Sequence, residues 1–280
     1  MSDVALQTNQ LTKNYTDFTL GPLNISIPKG YITGFIGKNG AGKTTLFKEI
    51  SAHFPKSDYV TYHELVKNVM YVSEKEQMYA DFKVRDALEL VASLYPEWDE
   101  MKQTSLLKKW SINEDTRIEQ LSKGMAMKLN MIYALCSQPD VLLLDEPTSG
   151  LDPVARLQLL KECQEFMLND ERTVCMSSHI SADLEDIADY LVFLKDGEIY
   201  LHGEKEQLKE DFKYFQAPPT TIFNHADVIG YVKSATGYTG VVMSHEQDNI
   251  EGALFRRPTL DEILYYVVEG GGIDEDINQT

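Results

Sequence analysis

Cysteine is scarce in this sequence, and the few that occur are poorly placed for cross-linking. The 280 residues contain Cys136, Cys163 and Cys175, an odd number with no Cys-X-X-Cys spacing. Because each lies inside an apolar segment, the pattern predicts buried thiols in a reducing compartment and excludes a disulfide framework.

Long hydrophobic runs are also missing. No stretch reaches the roughly 18 apolar residues that a membrane-spanning helix needs, and the N-terminal residues lack the basic and apolar regions of a secretory signal. The sequence therefore predicts a soluble intracellular chain with no membrane span of its own.

Basic residues are few relative to acidic ones. Lysine and arginine number 26 against 44 aspartates and glutamates, a formal net charge of −18 at pH 7. Sequence-independent binding of nucleic acid requires a basic face, and so does adhesion to anionic lipid. The charge balance therefore argues against nucleic acid as a partner.

Short apolar and β-branched runs alternate along the chain with segments that repeat apolar residues at helical spacing. This alternation indicates a parallel sheet covered by helices, and hence an α/β fold. The predicted buried strands are residues 31–36, 69–72, 141–144, 173–176 and 190–194. The helices predicted between strands include 44–52, 154–168 and 182–188.

Two regions depart from this alternation. Residues 80–136 carry helical patterns only, which predicts a helical subdomain inserted into a main domain of residues 1–210. Residues 211–280 combine short β-prone runs with a helix that Thr259 caps, with Glu262 three residues later as in a capping box. We predict a small C-terminal α+β appendage with a structural role or, alternatively, a regulatory or dimer-stabilising one, and a frayed end over 270–280.

The strongest local motif follows the first predicted buried strand and opens a helix. It reads Gly37-Lys-Asn-Gly-Ala-Gly-Lys-Thr-Thr45 and matches the phosphate-loop pattern GxxxxGK[ST]. Glycines let backbone N–H groups surround a polyphosphate, Lys43 can reach its outer phosphates, and the Thr44 hydroxyl can ligate Mg²⁺. The alternative is a glycine-rich turn with an exposed lysine. The candidate nucleotide-binding residues of this loop are Asn39, Gly40, Gly42, Lys43, Thr44 and Thr45.

A second strand ends in two acidic residues. The apolar run 141–144 is followed by Asp145, a candidate Mg²⁺ ligand, and Glu146, which can polarise a water for attack on a γ-phosphate. By itself such a run is more typical of a strand that ends in solvent. Together with the phosphate loop it predicts a site for nucleotide hydrolysis.

Four further short strings resemble motifs of one family. Residues 121–125 read Leu-Ser-Lys-Gly-Met, residues 149–152 read Ser-Gly-Leu-Asp, and residues 177–179 read Ser-Ser-His. Tyr15 lies 28 residues before Lys43. In this order they resemble the signature motif, D-loop, switch histidine and adenine-stacking aromatic residue of the ATP-binding cassette (ABC) ATPases.

This resemblance covers about residues 4–205. It implies a P-loop NTPase core with an inserted helical subdomain and an N-terminal antiparallel β region, acting on ATP with Mg²⁺ as cofactor. It also implies that Tyr15 stacks on adenine, and that His179 contacts the γ-phosphate and positions Glu146 and water.

In this family one cassette does not complete its own site. The resemblance implies that Ser122 and Gly124 of one subunit meet the γ-phosphate bound by another, and that Asp152 couples the two sites. It thus implies a head-to-tail dimer around two ATP molecules, either a homodimer or a heterodimer with a second ABC subunit.

Two motifs depart from the family pattern. Lys123 and Met125 replace the usual glycine and glutamine of the signature. Glu74 stands where the family usually has the Q-loop glutamine, and we keep it as an ATP-binding candidate because a carboxylate can still approach Mg²⁺ or the attacking water.

An ABC ATPase drives a partner, which its fold does not identify. The segment from Arg257 onward resembles the end of bacterial multidrug, bacteriocin-immunity and peptide-toxin exporter ATPases. We therefore predict the nucleotide-binding subunit of an exporter, held at the inner face of the membrane by a separate permease that docks near Met78, Tyr79 and Phe82. The alternatives are an importer ATPase and a soluble ABC protein acting on ribosomes or DNA.

Overall fold

The computed structural model describes residues 3–55, 57–73 and 80–268, and the backbone of 272–274. Its strands are β1 (Val4–Thr8), β2 (Leu11–Asn14), β3 (Thr19–Leu23), β4 (Ser26–Pro28), β5 (Ile32–Ile36), β6 (Val60–Tyr62), β7 (Val69–Ser73), β8 (Val141–Asp145), β9 (Thr173–Ser178), β10 (Tyr190–Lys195), β11 (Glu198–Glu204), β12 (Phe212–Ala217), β13 (Gly230–Ser234), β14 (Gly237–Met243), β15 (Leu254–Arg256) and β16 (Gly272–Asp274). Its α-helices are α1 (Lys43–Ala52), α2 (Val84–Ala92), α3 (Glu100–Lys109), α4 (Lys123–Cys136), α5 (Pro153–Phe166), α6 (Ser181–Ile187), α7 (Lys205–Asp211) and α8 (Leu260–Glu262), the last continued by a π-helical segment, Ile263–Val268. Among these residues no helix is long and apolar enough to cross a membrane.

The central sheet has six strands in the order β11–β10–β5–β9–β8–β7. Neighbouring strands from β10 to β7 pair in parallel, and β11 is an antiparallel edge. All five strands predicted from the sequence lie in this sheet, so the predicted α/β class is confirmed. The carboxyl ends of parallel strands meet at one edge, which is where ligands bind in such sheets. The segments that follow β5, β8 and β9 are therefore neighbours.

The apolar residues of β8 alternate between two hydrophobic clusters, one on each face of the sheet. Leu142 and Leu144 pack in the cluster that contains the helices α2 to α5, whereas Val141 and Leu143 pack with α1 and the N-terminal strands. Both faces of the sheet are covered, which explains why this strand is an unbroken apolar run rather than an alternating one.

Four strands of the sheet, β7 to β10, run further than the apolar pattern predicted, and β8 and β9 do so with residues of the candidate site. β8 includes Asp145, and β9 extends to Ser178 because Ser177 pairs with Asp145 and Ser178 pairs with Ile36. The backbone ladder continues through these polar residues, and the added length carries them to the edge where the site lies.

Two smaller parts complete the first 210 residues. The strands β4–β1–β6 form an antiparallel sheet and β2–β3 a hairpin, and Phe47 of α1 packs edge-on against Phe35 of β5. The segment from α2 to α4 is helical, and α4 packs on both α3 and β7. The Asp99 side chain caps α3 by accepting a hydrogen bond from Lys102 N at 2.9 Å.

The C-terminal region contains a five-stranded sheet, β15–β12–β14–β13–β16. The sequence predicted β structure in the part that became β13 and β14, but not β12 or β15. The predicted capping box is present, since Thr259 Oγ1 accepts from Glu262 N and Glu262 Oε2 accepts from Thr259 N. The prediction that residues 270–280 are frayed was wrong for β16, because its backbone pairs in parallel with β13.

The C-terminal region shares the main hydrophobic core. Leu260 and Ile263 are fully buried and belong to the same cluster as the central sheet. Polar contacts reinforce the junction with α6: Ser181 bonds with Asp261, and Glu185 accepts from Leu260 N at 3.0 Å and from Lys209. The region therefore packs against the helix that follows His179.

The three cysteines are free and buried, as predicted. Burial raises the pKa of Cys136, Cys163 and Cys175 to about 12. Because the thiolate is the reactive form, we expect an aromatic disulfide reagent at about pH 8 to modify none of them in the native protein and all three after unfolding. A variant with an exposed cysteine in the β13–β14 turn, Ala235→Cys, is the positive control. Rapid native modification of the wild type would contradict the buried assignment.

Candidate nucleotide-binding and hydrolysis site

The phosphate loop connects β5 to α1 and depends on glycine for its conformation. Gly40 and Gly42 have φ of 89° and 108°, in the left-handed region that L side chains rarely adopt. A Cβ at Gly40 would meet no atom within 4 Å, so this side of the backbone is open, whereas a Cβ at Gly42 would lie 2.7 Å from Leu20. No side chain of the described residues caps α1 at Gly42. The backbone N–H groups in the first turn of α1 can therefore bind an anion.

A cavity of about 520 Å³ lies over this loop. Tyr15 and Phe18, whose ring centroids are 6.4 Å apart, contribute aromatic walls to it, and Glu146 lines it as well. Phe18 was missed by the sequence analysis, although it is an aromatic residue on the same hairpin, where Tyr15 N donates to Phe18 O at 2.8 Å. The full lining is Tyr15, Phe18, Asn39, Gly40, Gly42, Lys43, Thr44, Thr45 and Glu146.

Lys43, the first residue of α1, is 5% exposed. Its Nζ donates to Gly37 O at 2.6 Å and to Lys38 O at 3.3 Å, and it lies 3.3 Å from Glu146 Oε1. Carbonyl oxygens and a carboxylate thus hold a buried ammonium group at the cavity wall. A charge placed there acts strongly on any anionic group that enters, because screening by water is weak.

Asp145 is buried at the end of β8 and is not among the residues that line the cavity. Ser177 Oγ donates to its Oδ1 at 2.7 Å, and Tyr71 OH donates to its Oδ2 at 3.1 Å. Ser177 Oγ also accepts from Glu146 N at 3.0 Å. Tyr71 and Ser177 could not be predicted from the sequence as the residues that hold this carboxylate, because the strand register brings the three together.

Glu146 and His179 form a pair at the carboxyl ends of β8 and β9. His179 Nδ1 lies 2.5 Å from Glu146 Oε2, which also accepts from His179 N at 3.2 Å. The other oxygen, Oε1, is buried near Lys43 and accepts no hydrogen bond from the described residues. Glu146 has φ of 52°, a strained value for a residue other than glycine, and such strain persists only where surrounding contacts enforce it.

The predicted signature and D-loop residues lie at the starts of two helices. Ser122 caps α4 by accepting from Met125 N at 3.2 Å, and Asp152 caps α5 by accepting from Ala155 N and Val154 N. These backbone bonds lower the pKa of Asp152. Ser122, Gly124 and Asp152 are not among the cavity-lining residues. Glu74, Met78 and Tyr79 lie outside the described residues.

The arrangement fits ATP and Mg²⁺. The open backbone at Gly40, the uncapped start of α1 and the Lys43 ammonium can each bind the oxygens of a polyphosphate. No cluster of three or more histidine, cysteine, aspartate or glutamate side chains suited to a metal occurs in the described part of the chain. Thr44 and Asp145, the predicted ligands, have the oxygen donors that Mg²⁺ prefers, and its shell is commonly completed by substrate phosphates and water. When bound, Mg²⁺ neutralises charge that develops on the phosphates.

A parallel sheet with a phosphate loop after β5 and paired acids at the end of β8 defines a P-loop nucleotide hydrolase. The family model described as ABC transporter matches residues 20–149. The lantibiotic transport ATP-binding protein SrtF of Streptococcus pyogenes is 32% identical over 220 residues, 74% of this chain and 95% of that protein. The bacitracin transport ATP-binding protein BcrA of Enterococcus faecalis is 28% identical over 210 residues, 70% of this chain and 68% of that protein.

Among solved structures, an ATP-binding subunit of an ABC transporter superposes with a TM-score of 0.64 at 25% identity, covering 73% of this chain and 92% of that one. The chain therefore belongs to the ATP-binding proteins of ABC transporters. It is an ATPase, and members of this family use ATP hydrolysis to power transport.

Proposed function

We propose that this chain is the ATP-hydrolysing subunit of an exporter for antimicrobial or amphipathic peptides. The observation that carries the hydrolytic role is that Lys43 and Glu146 line one cavity and that His179 pairs with Glu146. The names of the two relatives support the cargo class, since one is described as a lantibiotic transporter component and the other as a bacitracin transporter component. A separate permease forms the membrane passage and holds the chain at the inner face of the membrane.

Glu146 acts as the general base in this proposal. His179 holds Oε2, whereas Oε1 accepts no hydrogen bond from the described residues and would take the proton of the attacking water. Lys43 stabilises the outer phosphates, and its ammonium lies 3.3 Å from Oε1. Tyr15 and Phe18 provide an aromatic surface for adenine, and Thr44 and Asp145 hold Mg²⁺.

The working unit in this proposal is a head-to-tail dimer. Ser122 and Gly124 lie at the start of α4, outside the cavity of their own chain, where they would meet the phosphates bound by a second cassette. A Cβ at Gly124 would lie 3.7 Å from Leu151, so the signature and D-loop segments are neighbours. Asp152 would then link the two sites across the interface.

Transport in everted membrane vesicles containing this chain and its permease tests the proposal. We expect ATP to drive a fluorescent lantibiotic or amphipathic peptide into the vesicles, which is the export direction. Vesicles with the Glu146→Gln variant, or given ADP, should accumulate none. ATP-dependent loss of preloaded peptide would indicate import instead. Hydrolysis without peptide movement in either direction would contradict the cargo class.

A further inference from the structure

Helix α6 begins two residues after His179 and carries a carboxylate that the hydrolysis site does not use. Asp183 is 0% exposed. A buried carboxylate is costly unless hydrogen bonds and an opposite charge compensate it. Its partners therefore indicate what it contributes.

Two side chains from different segments satisfy Asp183. Thr148 Oγ1 donates to its Oδ2 at 2.5 Å, and Arg156 Nε donates to its Oδ1. Thr148 follows Glu146 by two residues, and Arg156 lies in the first turns of α5, four residues after Asp152. Asp183 thus joins the loop that carries the candidate base to the helix that Asp152 caps.

The contact between Thr148 and Asp183 is the second link between the segment that follows β8 and the segment that follows β9. The first is the bond between His179 and Glu146. Together they close a ring in which residues 146–148 face residues 179–183, with side-chain bonds at both ends. Thr148 is 1% exposed, so water does not compete for its hydroxyl.

Such a ring explains how Glu146 keeps its strained backbone. Glu146 has φ of 52°, and contacts at both ends of its loop hold this conformation more firmly than a contact at one end would. The hydrogen bond to Asp183 fixes the other end, and Arg156 keeps the Asp183 carboxylate in place while balancing its charge.

We propose that Asp183 is a positioning residue for ATP hydrolysis: through Thr148 it holds Glu146 beside His179, and through Arg156 it connects this pair to the Asp152 helix. The proposal rests on Glu146 being the general base, as proposed above. In this proposal Asp183 does not contact ATP. Its loss should therefore change the rate of hydrolysis and not the affinity for nucleotide.

Thr148→Val tests the link most directly, because it removes the hydroxyl while keeping the side-chain shape and the Asp183–Arg156 pair. We expect kcat for ATP hydrolysis to fall about tenfold or more with the ATP Kd within about twofold, since no cavity group changes. Thr148→Ser restores a hydroxyl and should return kcat to within about threefold of wild type. Asp183→Asn, which presents an amide in place of the charge, should give the same loss of kcat and supplies a second variant if Thr148→Val does not fold.

Thr8→Val is the matched control. Thr8 is also buried, and its hydroxyl donates to Leu23 O at 3.0 Å in the N-terminal β region. The Thr8→Val variant should have its unfolding temperature lowered as much as that of Thr148→Val, and its kcat should be unchanged. If Thr148→Val also keeps its kcat when assayed well below its unfolding temperature, the bond to Asp183 is structural only and the proposal is overturned.

A double-mutant comparison separates this proposal from the assignment of the base. In a Glu146→Gln background, Thr148→Val should not slow single-turnover hydrolysis further, because the group it positions is gone. A further fall would mean that Thr148 acts elsewhere and would overturn the proposal. A Glu146→Gln variant as active as wild type would overturn the base assignment together with this proposal. An inactive Glu146→Gln beside a normal Thr148→Val would overturn this proposal alone.

Discussion

Glu146→Gln should nearly abolish steady-state ATP hydrolysis and leave ATP binding intact. The glutamine keeps the size of the side chain and can still bond with His179, but it cannot accept a proton from the attacking water. General-base catalysis contributes typically about 10²- to 10⁴-fold, so we expect kcat to fall by at least about a hundredfold. Phosphate release measures the rate, and binding of a fluorescent ATP analogue measures the affinity.

Binding without hydrolysis should also trap the closed dimer. Size-exclusion chromatography with Mg-ATP should show Glu146→Gln as a dimer, whereas the wild type without nucleotide should elute mostly as a monomer. Glu198→Gln, at an exposed position of the edge strand β11, is the matched control and should hydrolyse ATP at the wild-type rate. Hydrolysis by Glu146→Gln within about threefold of wild type would mean that another group, such as His179, activates the water.

The phosphate loop and the paired acids could be predicted because their local sequences specify their own geometry. The glycines of residues 37–42 allow positive φ, and an apolar run ending in Asp145 and Glu146 has one plausible place at the edge of a parallel sheet. The capping box of α8 was predictable for the same reason, since both of its residues lie within one helical turn.

The residues that hold the site in place could not be predicted, because register decides their partners. Tyr71, Ser177 and Thr148 come from three segments, and nothing in the sequence near any of them indicates the carboxylate that it meets. Strands β12 and β15 were missed for a similar reason: they lack strict alternation, and pairing with neighbours rather than local pattern makes them strands.

The phosphate loop itself is tested by Lys43→Ala, for which we expect ATP affinity to fall at least tenfold. Hydrogen bonds to charged groups contribute about 1.5 to 3 kcal/mol each, and about 1.4 kcal/mol corresponds to a tenfold change in Kd. The fold should persist, since the polar contacts of the lysine with described residues are limited to Gly37 O, Lys38 O and Glu146, and alanine is a strong helix former.

The measurement is isothermal calorimetry with a non-hydrolysable ATP analogue, and Lys48→Ala provides the control. Lys48 lies on the same helix as Lys43, but it is exposed and does not line the cavity. The two variants lose the same charge, so a fall confined to Lys43→Ala attributes the affinity to the position of the ammonium rather than to net charge. Equal affinities for Lys43→Ala and wild type, with unchanged circular dichroism, would mean that the cavity over α1 is not where the phosphates bind.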